Sequence, residues 1–294
     1  MLVATLVSAH GQALLDDGLL KRLEAGLPGA RGTQRLDGEI AADLFAEAGD
    51  ARKLEAELRA LLGEAAIDII VQPVASRRKQ LFLADMDSTM IGQECIDELA
   101  ACVGLKEMVA GITERAMRGE IAFEPALRER VALLKGVPLD VVDDIIARHI
   151  TLTPGGRELV MTMRANGAYT ALVSGGFTVF TGPISGTIGF DEHRSNVLLF
   201  ENGILNGEVA EPILGKQAKL DALVELRSAR GLNPEDTLAV GDGANDLAML
   251  GEAGLGVAFR AKPAVAAAAA ARLDHADLTA LLYAQGYGGG DIVR

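Results

Sequence analysis

The sequence predicts an α/β protein, in which a Rossmann-like doubly wound parallel sheet carries an inserted helical cap and a small α+β module precedes it. Three observations lead to this prediction. Short apolar segments alternate with helical segments, an order typical of parallel sheets; these segments are residues 81–84, 169–173, 237–241 and 254–258. Residues 92–150 have helical periodicity alone, and the first 76 residues follow a different order of elements.

The first 76 residues predict a ferredoxin-like module. Their patterns give the order strand, helix, strand, strand, helix, strand; the predicted elements are residues 2–7, 12–25, 32–36, 40–45, 51–62 and 66–73. The basic stretch ASRRK, residues 75–79, is predicted to be a linker. Because domains divide at such linkers, we expect the rest of the chain to fold and act without residues 1–76.

The remaining chain is predicted to divide into a core and a cap. Residues 80–91 and 151–288 supply the core, and residues 92–150 supply the cap. Breaks in the helical pattern of the cap are predicted at Gly104, Gly111, Gly119, Pro125 and residues 136–138. Two apolar runs on either side of Glu-Asn-Gly, within residues 197–205, predict a hairpin. Residues 286–290 predict a frayed tail.

Composition limits the classes of partner. With 294 residues and 49% hydrophobic content, the chain can bury a sizeable core. Its net charge of -13 argues against a nucleic-acid partner, since phosphate backbones are bound by clustered cations. The sequence has neither an apolar run of membrane-spanning length nor the pattern of a signal peptide, so we expect no membrane partner and a cytoplasmic location.

Polar motifs follow three of the predicted core strands. DMDST begins at Asp85, SGG at Ser174 and GDGAND at Gly241, while Lys219 lies on a predicted helix. Carboxyl ends of parallel strands meet at one edge of a sheet, where ligands bind. An acidic pair alone is usually a turn or a helix cap. Together, however, crowded carboxylates that favour Mg²⁺ and backbone that can approach an anion predict a phosphoryl-transfer site.

These four motifs, in this order, resemble those of the haloacid dehalogenase superfamily of phosphohydrolases, and their details resemble the phosphoserine phosphatases. The resemblance covers residues 81–282. It implies a phosphoric monoester hydrolase that uses Mg²⁺ to hydrolyse O-phospho-L-serine to L-serine and phosphate through an aspartyl-phosphate. That reaction is the last step of L-serine biosynthesis.

The resemblance also implies roles for the carboxylates. Asp85 would be the nucleophile, and Asp87 the general acid and base. Asp85, Asp242 and the backbone carbonyl of Asp87 would bind Mg²⁺, with Asp246 supporting the water shell of the metal. A raised pKa would suit Asp87, and we expect repulsion from Asp85 to raise it.

The remaining site residues are implied to bind the substrate. Those assigned to the phosphoryl group are Ser174, Gly175, Lys219 and Asn245. Glu94 and Arg130 would bind the serine ammonium and carboxylate, since a zwitterion needs one anion and one cation. Met117 and Phe123 would close the pocket. Without the motifs, Glu94 and Arg130 would be interpreted as solvated helix residues and Met117 and Phe123 as core.

Two alternatives stay open at the level of sequence. One is a related enzyme, such as a phosphothreonine phosphatase or a phosphotransferase to homoserine, because one methyl group discriminates by only about 1–3 kcal/mol. The other is a non-enzymatic phosphoaspartate switch, against which Asp87 argues, since a switch gains nothing from a positioned acid and base. The first 76 residues resemble the ACT-like extension of bacterial phosphoserine phosphatases in element order only. An L-serine effector there, and a homodimer, are left open.

Overall fold

The computed structural model of the chain describes residues 1–118 and 120–294, and of Met117 it describes the backbone alone. The N-terminal module, residues 1–76, contains β1 (Leu2–Ser8), α1 (Asp17–Gly26), β2 (Ala30–Asp37), β3 (Ala41–Ala46), α2 (Ala51–Leu62) and β4 (Ile67–Pro73). Its strands form an antiparallel sheet in the order β2-β3-β1-β4. This is the predicted ferredoxin-like order.

Helix α1 begins later than the sequence predicts. Residues 12–15 are not helical. The helix starts after Asp16, whose carboxylate accepts a hydrogen bond of 2.6 Å from the Leu19 backbone N–H. Because an aspartate at this position satisfies an otherwise unpaired N–H group, it fixes the start of the helix. The predicted start at residue 12 is therefore wrong.

The rest of the chain forms the core, the cap and a hairpin. Its elements are β5 (Leu81–Ala84), α3 (Cys95–Cys102), α4 (Lys106–Met117), α5 (Phe123–Leu133), α6 (Asp140–Arg148), α7 (Gly156–Ala165), β6 (Tyr169–Phe177), α8 (Thr178–Ile188), β7 (Glu192–Asn196), β8 (Leu198–Glu201), β9 (Ile204–Val209), α9 (Lys216–Ala229), β10 (Thr237–Gly241), α10 (Leu247–Glu252), β11 (Leu255–Phe259), α11 (Pro263–Ala268), β12 (Ala271–Leu273) and α12 (Ala280–Ala284). The core sheet is parallel, in the order β12-β11-β10-β5-β6-β7. The predicted fold class is confirmed.

Strand β5 is apolar throughout because both of its faces are covered. Phe82 and Ala84 join one hydrophobic cluster, which includes residues of the cap and of α12. Leu81 and Leu83 point the other way, into a cluster with residues of α9 and α10. Successive side chains of a strand alternate between faces, so a strand buried on both sides has no polar position. The first polar residue, Asp85, comes where the strand ends.

The cap consists of α3 to α6, but its helices do not break at every predicted point. Breaks occur near Gly104 and Gly136. Helix α4 runs through Gly111, and Pro125 lies in the first turn of α5, where proline costs no hydrogen bond within the helix. The predictions at these two positions are wrong. Gly119 lies outside the described residues.

The predicted hairpin is present as β8 and β9. Its two turn residues, Asn202 and Gly203, have φ of 53° and 78°. Positive φ at both positions is typical of the tight turn that joins twisted antiparallel strands. The hairpin packs against the cap, since the Gly136 N–H donates to the Leu205 carbonyl at 2.8 Å and Pro138 pairs with Ile204.

The basic stretch at residues 75–79, predicted to be a linker, is bound to both parts of the chain. Arg77 forms two hydrogen bonds, of 2.7 and 3.0 Å, with the carboxylate of Asp43 in β3. The same guanidinium donates to the backbone carbonyls of Tyr283 and Ala284 in α12, at 3.1 Å each. Lys79 is only 3% exposed. Lys79 can be buried because its ammonium donates to the Ser76 and Glu235 carbonyls, at 2.8 and 2.7 Å.

The C-terminal segment is ordered against the N-terminal module, so the predicted frayed tail is wrong. Tyr287 is buried, and a side chain at Gly289 would collide with Asp37 of β2. The Gly288 N–H donates to Asp291 at 2.8 Å, which closes a short turn.

Two edge strands, β7 and β12, were not predicted, because neither has the apolar run of an interior strand. Over the two described ranges, no helix has both the length and the apolar character needed to cross a membrane.

Candidate active site

A cavity of about 600 Å³ opens at the carboxyl ends of the core strands, between the core and the cap. Side chains from both parts line it. Those singled out by the sequence are Asp85, Asp87, Glu94, Phe123, Arg130, Ser174, Gly175, Asp242 and Asn245. The structure therefore brings together motifs that are far apart in the chain, as the strand-end argument predicts.

At the base of the cavity, Asp85 and Asp246 both form ion pairs with Lys219. The Lys219 ammonium is 2.6 Å from Asp85 Oδ1 and 2.6 Å from Asp246 Oδ1. Asp246 also accepts from the Gly243 N–H at 3.0 Å, so both of its oxygens are engaged. Burial would lower the pKa of Lys219, but the charges of Asp85 and Asp246 outweigh it and raise that pKa. Lys219 therefore stays charged between two carboxylates.

Asp87 is held at the start of helix α3. Its Oδ1 accepts a 3.0 Å hydrogen bond from the Cys95 backbone N–H, and its Oδ2 is 3.4 Å from the Ser174 hydroxyl. Burial raises the pKa of Asp87 more than these bonds lower it. Burial, followed by the charge of Asp246, likewise raises the pKa of Asp85. The expected cause of the raised pKa of Asp87, repulsion from Asp85, is therefore wrong, because desolvation is what raises that pKa.

Ser174 and its two glycines lie in the last part of β6, not in a turn after it as the sequence predicts. The pairing of β6 with β7 is irregular between Val173 and Phe177. The Gly176 N–H donates to Ser174 Oγ at 2.9 Å. A Cβ at Gly176 would lie 3.0 Å from both Asp87 Oδ2 and Ser174 Oγ. A side chain at residue 176 would therefore crowd Asp87 and Ser174, whose oxygens lie 3.4 Å apart.

The carboxylates form a group that fits a hard cation. One oxygen each of Asp85, Asp242 and Asp246 lies within 4.8 Å of the others. Asp242 accepts from the Thr89 hydroxyl at 3.1 Å, and burial raises its pKa. The charge of Asp246 is the second cause of the raised pKa of Asp242, so these carboxylates also repel one another. An oxygen-liganded divalent ion such as Mg²⁺ suits this donor set.

Two charged side chains of opposite sign reach the cavity from the cap side. Glu94 accepts from the Ser88 hydroxyl at 2.8 Å. Desolvation, and then the charge of Asp87, raises the pKa of Glu94 to about 7. Arg130 donates to the Ala126 carbonyl and the Thr113 hydroxyl, each at 3.3 Å, and among the described residues it has no carboxylate partner. The pair is therefore available to a ligand.

Phe123 extends from the cap over the glycine backbone of the core. It is 42% exposed, and a Cβ at Gly175 would lie 3.6 Å from its ring. The side chain of Met117 lies outside the described residues.

Sequence reasoning missed Lys262, which lines the cavity. Lys262 follows the end of β11, so the same strand-end argument could have found it.

The geometry and the motifs agree with a known family. Residues 82–251 match the sequence model of the haloacid dehalogenase-like hydrolases. The chain belongs to this family, and the resemblance stated from its motifs is confirmed. Its relatives there include phosphoserine phosphatases. One, from Archaeoglobus fulgidus, is 44% identical over 215 residues, which are 72% of this chain and 62% of that protein. The chain thus spans less than two thirds of that relative.

Two solved structures resemble the chain over almost all of its length. A HAD family hydrolase from Salmonella enterica serovar Typhi is 28% identical, with a TM-score of 0.84 over 96% of this chain and 97% of that one. A probable phosphoserine phosphatase from Vibrio cholerae, in unliganded form, is 33% identical, with a TM-score of 0.76 over 97% and 86%. Both similarities extend across the N-terminal module.

Proposed function

We propose that the chain is a Mg²⁺-dependent phosphoserine phosphatase, which hydrolyses O-phospho-L-serine to L-serine and phosphate in the last step of L-serine biosynthesis. One observation carries the proposal. A single cavity contains the carboxylates of the strand ends on its core side and Glu94 with Arg130 on its cap side. The first group suits a phosphoryl centre, and the second suits the ammonium and carboxylate of an amino acid.

In the proposed reaction Asp85 is the nucleophile. Its carboxylate oxygen forms a bond to phosphorus while the bond from phosphorus to the serine oxygen breaks. Asp87, whose pKa is raised, gives its proton to the leaving serine oxygen. Asp87 then takes a proton from the water that attacks phosphorus, and phosphate leaves Asp85. The two aspartates thus have separate roles, since one carries the phosphoryl group and the other moves protons.

The residues proposed to hold Mg²⁺ are Asp85, Asp242 and the backbone carbonyl of Asp87, with Asp246 supporting the bound water. When bound, the ion supplies positive charge that offsets these carboxylates and the phosphoryl oxygens. Lys219 is placed for the same purpose, because its ammonium lies 2.6 Å from Asp85. The Ser174 hydroxyl and the Gly175 N–H donate to phosphoryl oxygens, and Asn245 orients phosphate and water.

Substrate identity is proposed to depend on Glu94 and Arg130. The planar guanidinium of Arg130 can bind the serine carboxylate with two hydrogen bonds, and Glu94 can pair with the ammonium. Phe123, and Met117 by the family resemblance, would exclude water above the substrate. A cytoplasmic location, the domain boundaries, a homodimer and an L-serine effector at the N-terminal module stay predictions.

The test is phosphate release from O-phospho-L-serine, O-phospho-L-threonine and O-phospho-L-tyrosine, each with Mg²⁺ and with a chelator. We expect phosphoserine to be the best substrate, and we expect the chelator to abolish turnover. The Asp85→Asn variant, purified in the same way, controls for contaminating phosphatases. Failure to release phosphate from phosphoserine, or faster release from another ester, would contradict the proposal.

A further inference from the structure

Lys262 is a cation at the cavity that neither the motifs nor the proposed mechanism uses. It lies in the loop between β11 and α11 and lines the same cavity as Asp85 and Asn245. Its side chain is exposed. Within residues 1–118 and 120–294, Lys262 takes part in no ion pair and no side-chain hydrogen bond. Its ammonium is thus free to meet a ligand.

Local structure gives no reason for a lysine at this position. Lys262 precedes the first residue of α11, where Ser, Thr, Asp and Asn are favoured because they accept from free N–H groups. Lysine cannot accept a hydrogen bond, and its charge opposes the positive end of the helix dipole. Its side chain forms no cap and is not buried. A residue that breaks a local rule without compensation points to function.

The charges around the cavity indicate what this function is. The carboxylates that line it are those of Asp85, Asp87, Glu94 and Asp242, whereas Arg130 and Lys262 are the cations among its described lining residues. The whole chain carries a net charge of -13. A phosphate monoester carries about -1.5 to -2 at neutral pH, so the protein as a whole repels it. Anions reach such a protein efficiently only where local cations outweigh the overall field.

We infer that Lys262 captures the phosphoryl group of the substrate at the cavity, while Arg130 binds the carboxylate. Lys262 projects from the core, beside the strand ends proposed to hold phosphate, whereas Arg130 projects from the cap. This inference rests on the proposed function for its natural substrate. Because capture precedes chemistry, it affects kcat/KM and the salt dependence of kcat/KM, and it leaves kcat unchanged.

The test compares Lys262→Ala, Lys262→Arg and Lys53→Ala with the wild type, on both O-phospho-L-serine and p-nitrophenyl phosphate. Lys53 is a matched control, since its side chain is 75% exposed on the N-terminal module. At low ionic strength, Lys262→Ala should lower kcat/KM for both esters by about tenfold, with kcat unchanged. The loss should shrink in about 0.5 M salt, where charges are screened within a few ångströms. Lys262→Arg should resemble the wild type.

The inference is overturned if Lys262→Ala behaves like Lys53→Ala, if its loss is the same at high salt, or if kcat falls instead of kcat/KM. The second ester keeps this outcome separate from the proposed function. Wild-type protein that hydrolyses p-nitrophenyl phosphate but not phosphoserine would contradict the proposed function, and the Lys262 comparison would then be decided on p-nitrophenyl phosphate. Wild-type protein that hydrolyses neither ester would contradict both.

Discussion

At the residue scale, the site depends on neighbouring side chains that have been given different surroundings. Asp85 is paired with Lys219, whereas Asp87 accepts from the backbone of α3 and lies near Ser174. Both are buried or nearly so, and desolvation is the first cause of both raised pKa values. The separation of roles therefore comes from hydrogen-bond partners, which differ, and not from burial, which is shared.

Arg130→Ala should damage recognition of the amino acid and spare phosphate chemistry. Loss of a charged hydrogen-bond pair should lower kcat/KM for phosphoserine by about 10- to 150-fold. Turnover of p-nitrophenyl phosphate, which has no carboxylate, should change little. Arg128→Ala is the matched control, because Arg128 is 48% exposed and pairs with Glu211. Equal losses on both esters would mean that Arg130 is structural or binds phosphate.

The ionisation of Glu94 should make kcat/KM for phosphoserine depend on pH. Its pKa is raised to about 7, and the ammonium of the substrate needs the ionised carboxylate. We therefore expect kcat/KM for phosphoserine to fall as pH drops through 7, because Glu94 takes up a proton. The phosphate group titrates near pH 6 in wild type and in Glu94→Gln alike, so the difference between their profiles isolates Glu94. Identical profile shapes would refute this role.

At the element scale, two chain segments connect the cap to the core, and they are joined to each other. Ile91 pairs with Leu152, and the Gly92 N–H donates to the Thr151 carbonyl at 3.0 Å. The Gln93 amide donates to the Thr151 hydroxyl and accepts from the Thr151 N–H, each at 2.9 Å. We call these two paired segments, residues 91–93 and 151–152, the ribbon. Because the cap carries Arg130, the ribbon fixes the position of that side chain relative to the core.

Gln93→Ala should loosen the ribbon without touching the cavity. Because small misplacements of binding groups reduce rates steeply, we expect kcat/KM for phosphoserine to fall by about three- to tenfold. Amide hydrogen exchange should speed up at Gly92 and Thr151, which local opening exposes. Gln217→Ala is the control, since Gln217 bonds only within α9 in the described part of the chain. Unchanged exchange in Gln93→Ala would show that the amide is not what holds the ribbon.

Sequence predicted the interior elements well and the edges poorly, for a physical reason. Strand β5 is identifiable because burial on two faces demands an unbroken apolar run. Strand β7 has the sequence EHRSN and lies at the sheet edge, where such a run is not needed. Strand-end position predicted that the motifs converge. It could not give the Lys219 bridge between Asp85 and Asp246, because contacts between side chains depend on packing across the whole sheet.

At the scale of the whole molecule, the N-terminal module and the core are joined through α12. All five residues of this helix are buried. The Gln72 side chain donates to the Ala284 carbonyl at 2.7 Å, and the Tyr283 hydroxyl donates to Asp37 at 2.7 Å. Asp68, fully buried, accepts from three consecutive backbone N–H groups at residues 274–276. Removing residues 1–76 would expose α12, so we now expect the truncated chain to aggregate.

Arg77→Ala should destabilise the whole molecule. The Asp43 side chain, 1% exposed, would lose its guanidinium partner in the interior. Breaking such a buried pair costs about 3–5 kcal/mol. The free energy of unfolding in urea measures this loss. Lys53→Ala should change that free energy by less than about 1 kcal/mol, because its ion pair is exposed. A similarly small change for Arg77→Ala would show that the buried ion pair with Asp43 contributes little to stability.

The central claim is that Asp85 carries the phosphoryl group and Asp87 moves the protons, and intact-protein mass tests it directly. Wild type, Asp85→Asn and Asp87→Asn are incubated with Mg²⁺ and acetyl phosphate, a donor whose leaving group needs little acid. Asp87→Asn should gain one phosphoryl group and keep it, since hydrolysis loses a base worth about 10²- to 10⁴-fold. Wild type should show the adduct only briefly, and Asp85→Asn never. Phosphorylated Asp85→Asn, or an Asp87→Asn variant that binds Mg²⁺ yet never accumulates the adduct, would contradict the claim.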